Sequence, residues 1–224
     1  MLASKLEGKI VLVTGGSRGI GKAITKSLAK HGCKVIISSK NFSNLKATSK
    51  ELNVDLFKAD LRNIEEIEAL TKYIIGKYKH LDILVNNAGV VYDSPLEKTP
   101  DEQINEVIDV NLKAVFLLTK RLIPYINRGG TIINISSILG KRAEENLSAY
   151  CASKSGIIGL TQSLAGELHD VDVVAICPKE TNTDMIRNNY PDINPKAIDQ
   201  PEDVAEKVLE VIAGKFKSGS AVDV

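Results

Sequence analysis

The chain has 224 residues, 43% of them hydrophobic and 25% charged, with a formal net charge of +1. That balance fits a globular protein with one sizeable core, and it leaves no basic footprint for nucleic acid. No apolar run reaches the ~18 residues of a membrane helix, and the start from Met1 to Glu7 lacks an apolar secretory core, so a cytoplasmic protein with no membrane or nucleic-acid partner is expected.

In chain order, short β-branched runs alternate with amphipathic stretches. A predicted strand at Ile10–Val13 breaks into Thr14-Gly-Gly-Ser-Arg-Gly-Ile-Gly21 and enters a helix over Gly19–His31, with Gly32 as its stop. A strand at Lys34–Ser38, a short helix near Ser43–Leu52, a strand at Val54–Lys58 and a helix over Ile64–Tyr78 follow. Next come a strand at Ile83–Asn86 and a helix over Asp101–Tyr125. Proline and acids at Thr99–Glu102 start that helix, and Gly129-Gly130 read as its stop. A strand at Thr131–Ser136, a helix over Ala149–His169 and a strand at Val173–Cys177 precede the least patterned stretch, Asp184–Gln200, which reads as a functional loop. A helix over Pro201–Ala213 and a strand at Ala221–Val224 close the chain. Strands separated by helices imply an α/β doubly wound parallel sheet covered on both faces, here as a single domain over residues 1–224.

The chemistry begins at the glycine loop. A strand, a glycine-rich turn and a helix start make a phosphate site. Glycine lets the backbone approach a pyrophosphate, and the helix start offers free N–H groups and a positive dipole end. Gly15, Gly19 and Gly21 stand in a G-x-x-x-G-x-G spacing, which points to a dinucleotide. The tip of the second strand reads Ser38-Ser39-Lys40-Asn41, without the acid that grips a ribose 2′-hydroxyl in NAD sites. Ser39 and Lys40, with Arg18 from the glycine loop, suit a 2′-phosphate, so NADP(H) is expected over NAD(H). The alternative is that both cations are simply solvated. Asp60, in Ala59-Asp60-Leu61, either accepts from the adenine amino group or caps the helix entering at Ile64. Asn86-Asn87-Ala88-Gly89 ends a strand where such sheets bind ligands; Ala88 and Gly89 admit a cofactor close to the backbone, and Asn86 is equally suited to a structural turn.

Tyr150 and Lys154, four residues apart, share a helix face. A lysine ammonium nearby, together with the positive charge of an oxidised nicotinamide, is expected to lower the tyrosine pKa from its usual value near 10, making the phenol an acid/base group. Ser137, ending the fifth strand, is placed to hold a carbonyl oxygen. Cys33, Cys151 and Cys177 are odd in number and lack metal-ligand spacing, so reduced thiols and no metal are expected. His31, His80 and His169 sit near predicted helix ends and read as dipole contacts or surface groups.

Taken together, T-G-G-S-R-G-I-G, N-N-A-G, Ser137 thirteen residues before Tyr150, and Lys154 resemble the short-chain dehydrogenase/reductase family, most of all its 3-oxoacyl-acyl-carrier-protein reductases. The resemblance runs from Leu6 to about Val224. It implies a Rossmann fold with seven parallel strands ordered 3-2-1-4-5-6-7, a homo-oligomer (tetramer or dimer), and hydride transfer between a nicotinamide and a small ketone or secondary alcohol. It implies a catalytic set of Asn111, Ser137, Tyr150 and Lys154: Tyr150 as proton donor, Ser137 orienting the oxygen, Lys154 on the nicotinamide ribose, Asn111 holding a relay water. Cofactor contacts are implied at Gly15, Ser17, Arg18, Gly19, Ile20, Gly21, Ser39, Lys40, Asp60, Leu61, Asn87, Ala88, Gly89, Tyr150, Lys154, Pro178, Thr181 and Thr183. The segment Pro178–Asn182 departs from the family's pattern of Pro-Gly followed by an apolar pair: Lys179 replaces the glycine, where it would be strained if that position required a positive φ, and charged or polar groups replace the apolar residues. This departure motivates a second reading, a catalytically weak NADP-binding sensor or partner subunit. A sugar-nucleotide epimerase of the family's extended branch is disfavoured by length and glycine spacing.

Overall fold

Residues 6–224 are described by a computed structural model. The remaining five, part of the start read above as lacking a secretory core, lie outside the described residues. Seven strands form one parallel sheet: β1 (Ile10–Thr14), β2 (Lys34–Ser39), β3 (Asp55–Lys58), β4 (Leu81–Asn86), β5 (Ile126–Ile135), β6 (Val171–Cys177) and β7 (Ala221–Asp223). Their order is β3-β2-β1-β4-β5-β6-β7, as the resemblance implies. The main helices are α1 (Gly19–Lys30), α2 (Phe42–Leu52), α3 (Ile64–Tyr78), α4 (Asp101–Ile108), α5 (Ala114–Leu122), α6 (Ser148–Glu167), α7 (Asp184–Asn189) and α8 (Pro201–Ile212).

The strand runs are continuously apolar because both sheet faces are covered. Val11, Val13, Val35, Ile37, Val85 and Ile133 pack on one face with Ile24 and Leu28 of α1 and Val204 and Val208 of α8. Ile10, Leu12, Ile36, Leu84 and Ile132 pack on the other with α3, α5 and α6. The alternation follows the two-residue period of a strand. Each such fully buried aliphatic side chain contributes about 1.5–3 kcal/mol. At the amino-terminal edge of the sheet Asp82 accepts from the Ile10 N–H (2.8 Å), Lys9 Nζ (2.9 Å) and Asn127 Nδ2 (3.0 Å). These donors hold its carboxyl below the usual range although burial alone would raise it.

Several expectations need correction. The helix expected over Asp101–Tyr125 is broken by a π-helical turn, Asp109–Lys113, and ends in a 3-10 turn at Ile123–Tyr125. Gly129-Gly130 is no helix stop but part of β5, where a register shift against β4 occurs. A Cβ at Gly130 would lie 2.8 Å from the Asp82 carbonyl oxygen, so the bare backbone serves close strand approach. The stretch Asp184–Gln200 opens with helix α7, whose first turn is capped by Thr183 accepting from the Ile186 N–H (3.4 Å). Among the described residues no helix is long and apolar enough to cross a membrane. Cys33, Cys151 and Cys177 are buried and free, and burial pushes the Cys33 thiol up to about 11.

Candidate active site

One cleft runs along the carboxyl edge of the sheet. Its walls include every residue expected above to touch the cofactor, together with Ser137. Asn111 alone of the expected set does not reach its surface.

The glycine loop forms the floor. Gly15 and Gly19 have φ of +65° and +49°, a region costly for other residues. A Cβ at Gly21 would lie 2.3 Å from the Gly15 carbonyl oxygen, so the loop closes on itself only without a side chain there. Arg18 stands at the N-cap of α1 without a side-chain capping bond, and the first turn carries no acid. Its N–H groups therefore remain available to an anion. Ser38 Oγ is buried in the cleft wall with no partner. The cradle, the free helix start and this orphaned hydroxyl fit a dinucleotide phosphate and ribose.

Strand β4 delivers the second wall. Thr14, which the sequence reading passed over, organises it: its hydroxyl accepts from the backbone N–H of Asn87 (2.9 Å) and Ala88 (3.1 Å). Asn87 Nδ2 returns a bond to the Thr14 carbonyl oxygen (2.8 Å), bracing the two loops against each other. Asn86 is structural, with Nδ2 donating to Thr119 Oγ1 (3.1 Å) and Asn134 Oδ1 (2.9 Å). Asp60 lines the cleft, but Asn63 is the residue that caps α3, accepting from the Glu65 and Glu66 N–H groups. Asp60 instead receives Arg62, with Nη2 at 2.5 Å and Nε at 3.0 and 3.1 Å from its carboxylate.

Helix α6 brings Tyr150 and Lys154 to the same end as Ser137. Lys154 is 4% exposed, its Nζ donating to the Ile135 carbonyl oxygen (2.8 Å) and lying 5.6 Å from the Tyr150 ring centroid. An ammonium has three donors, so the cleft side is free for a ligand hydroxyl. The close fit of α6 depends on Gly140, where a Cβ would lie 2.7 Å from the Lys154 carbonyl oxygen. Ser136, another residue missed from sequence, donates to that same oxygen (2.8 Å). Asn111, in the π-helical turn, accepts from the Val90 N–H (2.8 Å) and donates to the Val90 carbonyl oxygen (2.8 Å) and to Ser153 Oγ (3.2 Å). Its amide thus pins the loop carrying Gly89, where a Cβ would be 3.6 Å from Lys154 Nζ.

Lys154 by itself does not produce the acidification of Tyr150 expected of it together with an oxidised nicotinamide. Burial pushes the phenol up to about 12, the Ser137 hydroxyl offsetting only part of it. Burial likewise lowers Lys154 to about 8. The reason is that Lys154 spends its charge on a backbone carbonyl rather than on the phenol, and desolvation outweighs an ammonium that is not in contact.

The roof comes from the segment after β6. Lys179 is absent from the positive-φ residues, so the strain anticipated there does not arise. Thr181 pairs as a parallel bridge with Asp199, and Thr183 comes back over the glycine loop, its Cγ2 lying 3.1 Å from where a Cβ of Gly19 would be. Tyr190, following α7, donates to Asp93 Oδ2 (2.8 Å), tying this segment to the loop after β4. Lys179, Asp184, Met185 and Ile186 also line the cleft and were not anticipated.

Residues 9–194 match the short chain dehydrogenase family. The chain is a member of the short-chain dehydrogenase/reductase family. It is 34% identical over 222 residues to the 3-oxoacyl-[acyl-carrier-protein] reductase FabG of Thermotoga maritima, covering 92% of this chain and 90% of the relative. The corresponding FabG of Rickettsia bellii is 39% identical over 217 residues, covering 91% and 88%. Among solved structures, a short chain dehydrogenase of Shigella flexneri complexed with NADP superposes with a TM-score of 0.92 at 28% identity, covering 97% of each chain. Family membership makes the protein an NAD(P)-dependent oxidoreductase acting on CH–OH or ketone groups.

Proposed function

We propose that this short-chain dehydrogenase is an NADPH-dependent carbonyl reductase whose substrate is a 3-oxoacyl thioester or a related small ketone, acting in the cytoplasm as a homo-oligomer. The observation that carries the reading is the convergence of Tyr150, Lys154 and Ser137 at one end of a cleft whose other end is the glycine loop. The FabG relatives support the substrate class and the NADP-complexed neighbour supports the cofactor.

Bound NADPH would supply the hydride to the carbonyl carbon. Tyr150 would give its proton to the carbonyl oxygen. A phenol held at about 12 is fully protonated at neutral pH, the state a reduction requires. Ser137, whose hydroxyl accepts from the Leu139 N–H (3.1 Å) and offsets part of the rise in the Tyr150 pKa, would hold that oxygen in line. Lys154 would donate to the nicotinamide ribose with the N–H groups left free by Ile135. Asn111 would act on this end through Val90 and, as the resemblance implies, through a water leading to Lys154. The glycine loop, Ser17 and Ile20 would hold the pyrophosphate, and Ser39, Lys40 and Arg18 the 2′-phosphate. Asp60 and Leu61 would flank the adenine, and Pro178, Thr181 and Thr183 the carboxamide end.

The reading of the protein as a catalytically weak sensor loses one of its supports, because Lys179 sits in relaxed backbone, while the polar residues of Pro178–Asn182 remain its motive. Tyr150→Phe should cut ketone reduction by about 10²–10⁴-fold while NADPH affinity by fluorescence titration stays nearly unchanged. The assay is a panel of 3-oxo esters, cyclic ketones, quinones and sugars run with NADPH and NADH side by side. Retained turnover in the variant would remove Tyr150 from its role, and a wild type that binds NADPH yet reduces nothing would favour the sensor.

A further inference from the structure

Lys40, the cation at the tip of β2, is not free. Its Nζ lies 3.0 Å from Glu106 Oε1 on α4, a residue 66 positions away. Arg62 Nη1 approaches the same oxygen at 3.3 Å. The other oxygen, Oε2, accepts from the Tyr92 hydroxyl at 2.5 Å. Glu106 is therefore saturated by three donors from three segments, and its side chain is only 14% exposed, against 53% for Lys40. The hydrogen bonds from Tyr92 and Lys40 keep its carboxyl below the usual range, so it is ionised at neutral pH. Arg62 is also committed to Asp60. Arg18, by contrast, makes no ion pair among the described residues.

The charges at this end of the cleft thus alternate: Arg18, Lys40 and Arg62 are positive, Asp60 and Glu106 negative. A dianionic phosphate arriving at the β2 tip must share the Lys40 charge with Glu106 and accept a fixed negative charge close by. A bare 2′-hydroxyl makes neither demand. We infer that Glu106 is a specificity-determining residue that competes with the 2′-phosphate for Lys40 and so limits the preference for NADPH over NADH. The inference rests on the cofactor reading above, and it makes selectivity a balance between two anions for one ammonium rather than a property of Lys40 alone.

The test uses nucleotide fragments, so it does not depend on turnover. Adenosine 2′,5′-bisphosphate and 5′-AMP are titrated into wild type, Glu106→Gln, Lys40→Ala and the double variant by isothermal calorimetry at fixed ionic strength. Glu106→Gln should tighten the bisphosphate by about 3- to 10-fold, the range for releasing a partly exposed ion pair and removing one like charge. Binding of 5′-AMP should move by less than about 2-fold, since neither demand applies to it. In the Lys40→Ala background most of that gain should disappear, because the released ammonium is what the phosphate collects. Unchanged or weaker bisphosphate binding in Glu106→Gln, or an equal gain for both ligands, would overturn the inference. If Glu106→Gln does not fold, Glu106→Asp, which withdraws the carboxylate from Lys40, should shift the ratio in the same direction, and no shift would again overturn it. A wild type indifferent to the 2′-phosphate would count against the NADP reading only; the role of Glu106 is read from the change its substitution produces.

Discussion

Burial holds the Lys154 ammonium at about 8 and the Tyr150 phenol at about 12, moving both toward their neutral forms. For a lysine whose ordinary value is 10.5, a drop to about 8 is roughly 3 kcal/mol of disfavoured charge at neutral pH. The sign follows from linkage. Between about pH 8 and 10.5 the unfolded chain holds the Lys154 proton and the folded chain does not, so this residue's penalty is full below pH 8 and fades as pH rises. Lys154→Met should therefore raise the melting temperature of the ligand-free protein at pH 7, with the advantage over wild type shrinking toward pH 10. Scanning calorimetry at the two pH values checks this; equal gains at both would mean that charge burial is not the cause. The same residue-scale conflict explains why the i, i+4 spacing overstated what Lys154 alone does to the phenol. The i, i+4 spacing of Tyr150 and Lys154 was legible, but the partner of Lys154 Nζ is the Ile135 carbonyl oxygen, supplied by a different element. Asp60 carries the same lesson, since Asn63 was free to cap α3 and Arg62 to claim the carboxylate.

The elements that sequence placed best are those with a strong local signature. Strands β1, β2, β4 and β6 carry apolar runs at their centres because helices cover both faces, and the glycine loop is legible because its backbone conformation admits almost nothing else. Gly21→Ala puts a methyl 2.3 Å from the Gly15 carbonyl oxygen. The loop must then open, so the variant should lose stability by about 1–3 kcal/mol and lose most nucleotide affinity. Chemical denaturation with NADPH titration on the same preparation separates the two effects. Weakly signalled elements were missed. Helix α7 has six residues, too few for a period to show. The π-helical turn at Asp109–Lys113 leaves the apolar spacing of its surroundings nearly unchanged, yet it redirects Asn111 onto Val90. The glycines at 129 and 130 were read as a stop, because a strand that needs bare backbone to approach its neighbour looks like a turn in one dimension.

At the scale of the molecule, the sheet order brings β1, β4 and β5 side by side, so the glycine loop, the Asn87-Ala88-Gly89 turn and Ser137 share one edge. Phe116 on α5 remains 48% exposed and Tyr125 41%, apolar surface consistent with the proposed homo-oligomer. Light scattering coupled to size exclusion should then give the mass of two or four chains, and a monomer at micromolar concentration would reject that assembly.

The sequence by itself determined the alternation of strands and helices, the phosphate loop and the identity of the residues that meet in the cleft, because those rest on short-range pattern and on backbone conformations open to few side chains. Only the tertiary structure decided which distant groups meet: Lys40 with Glu106, and Lys154 with the Ile135 carbonyl oxygen. Ion pairing and desolvation depend on distance through space, and a one-dimensional pattern does not encode the separation of groups tens of residues apart.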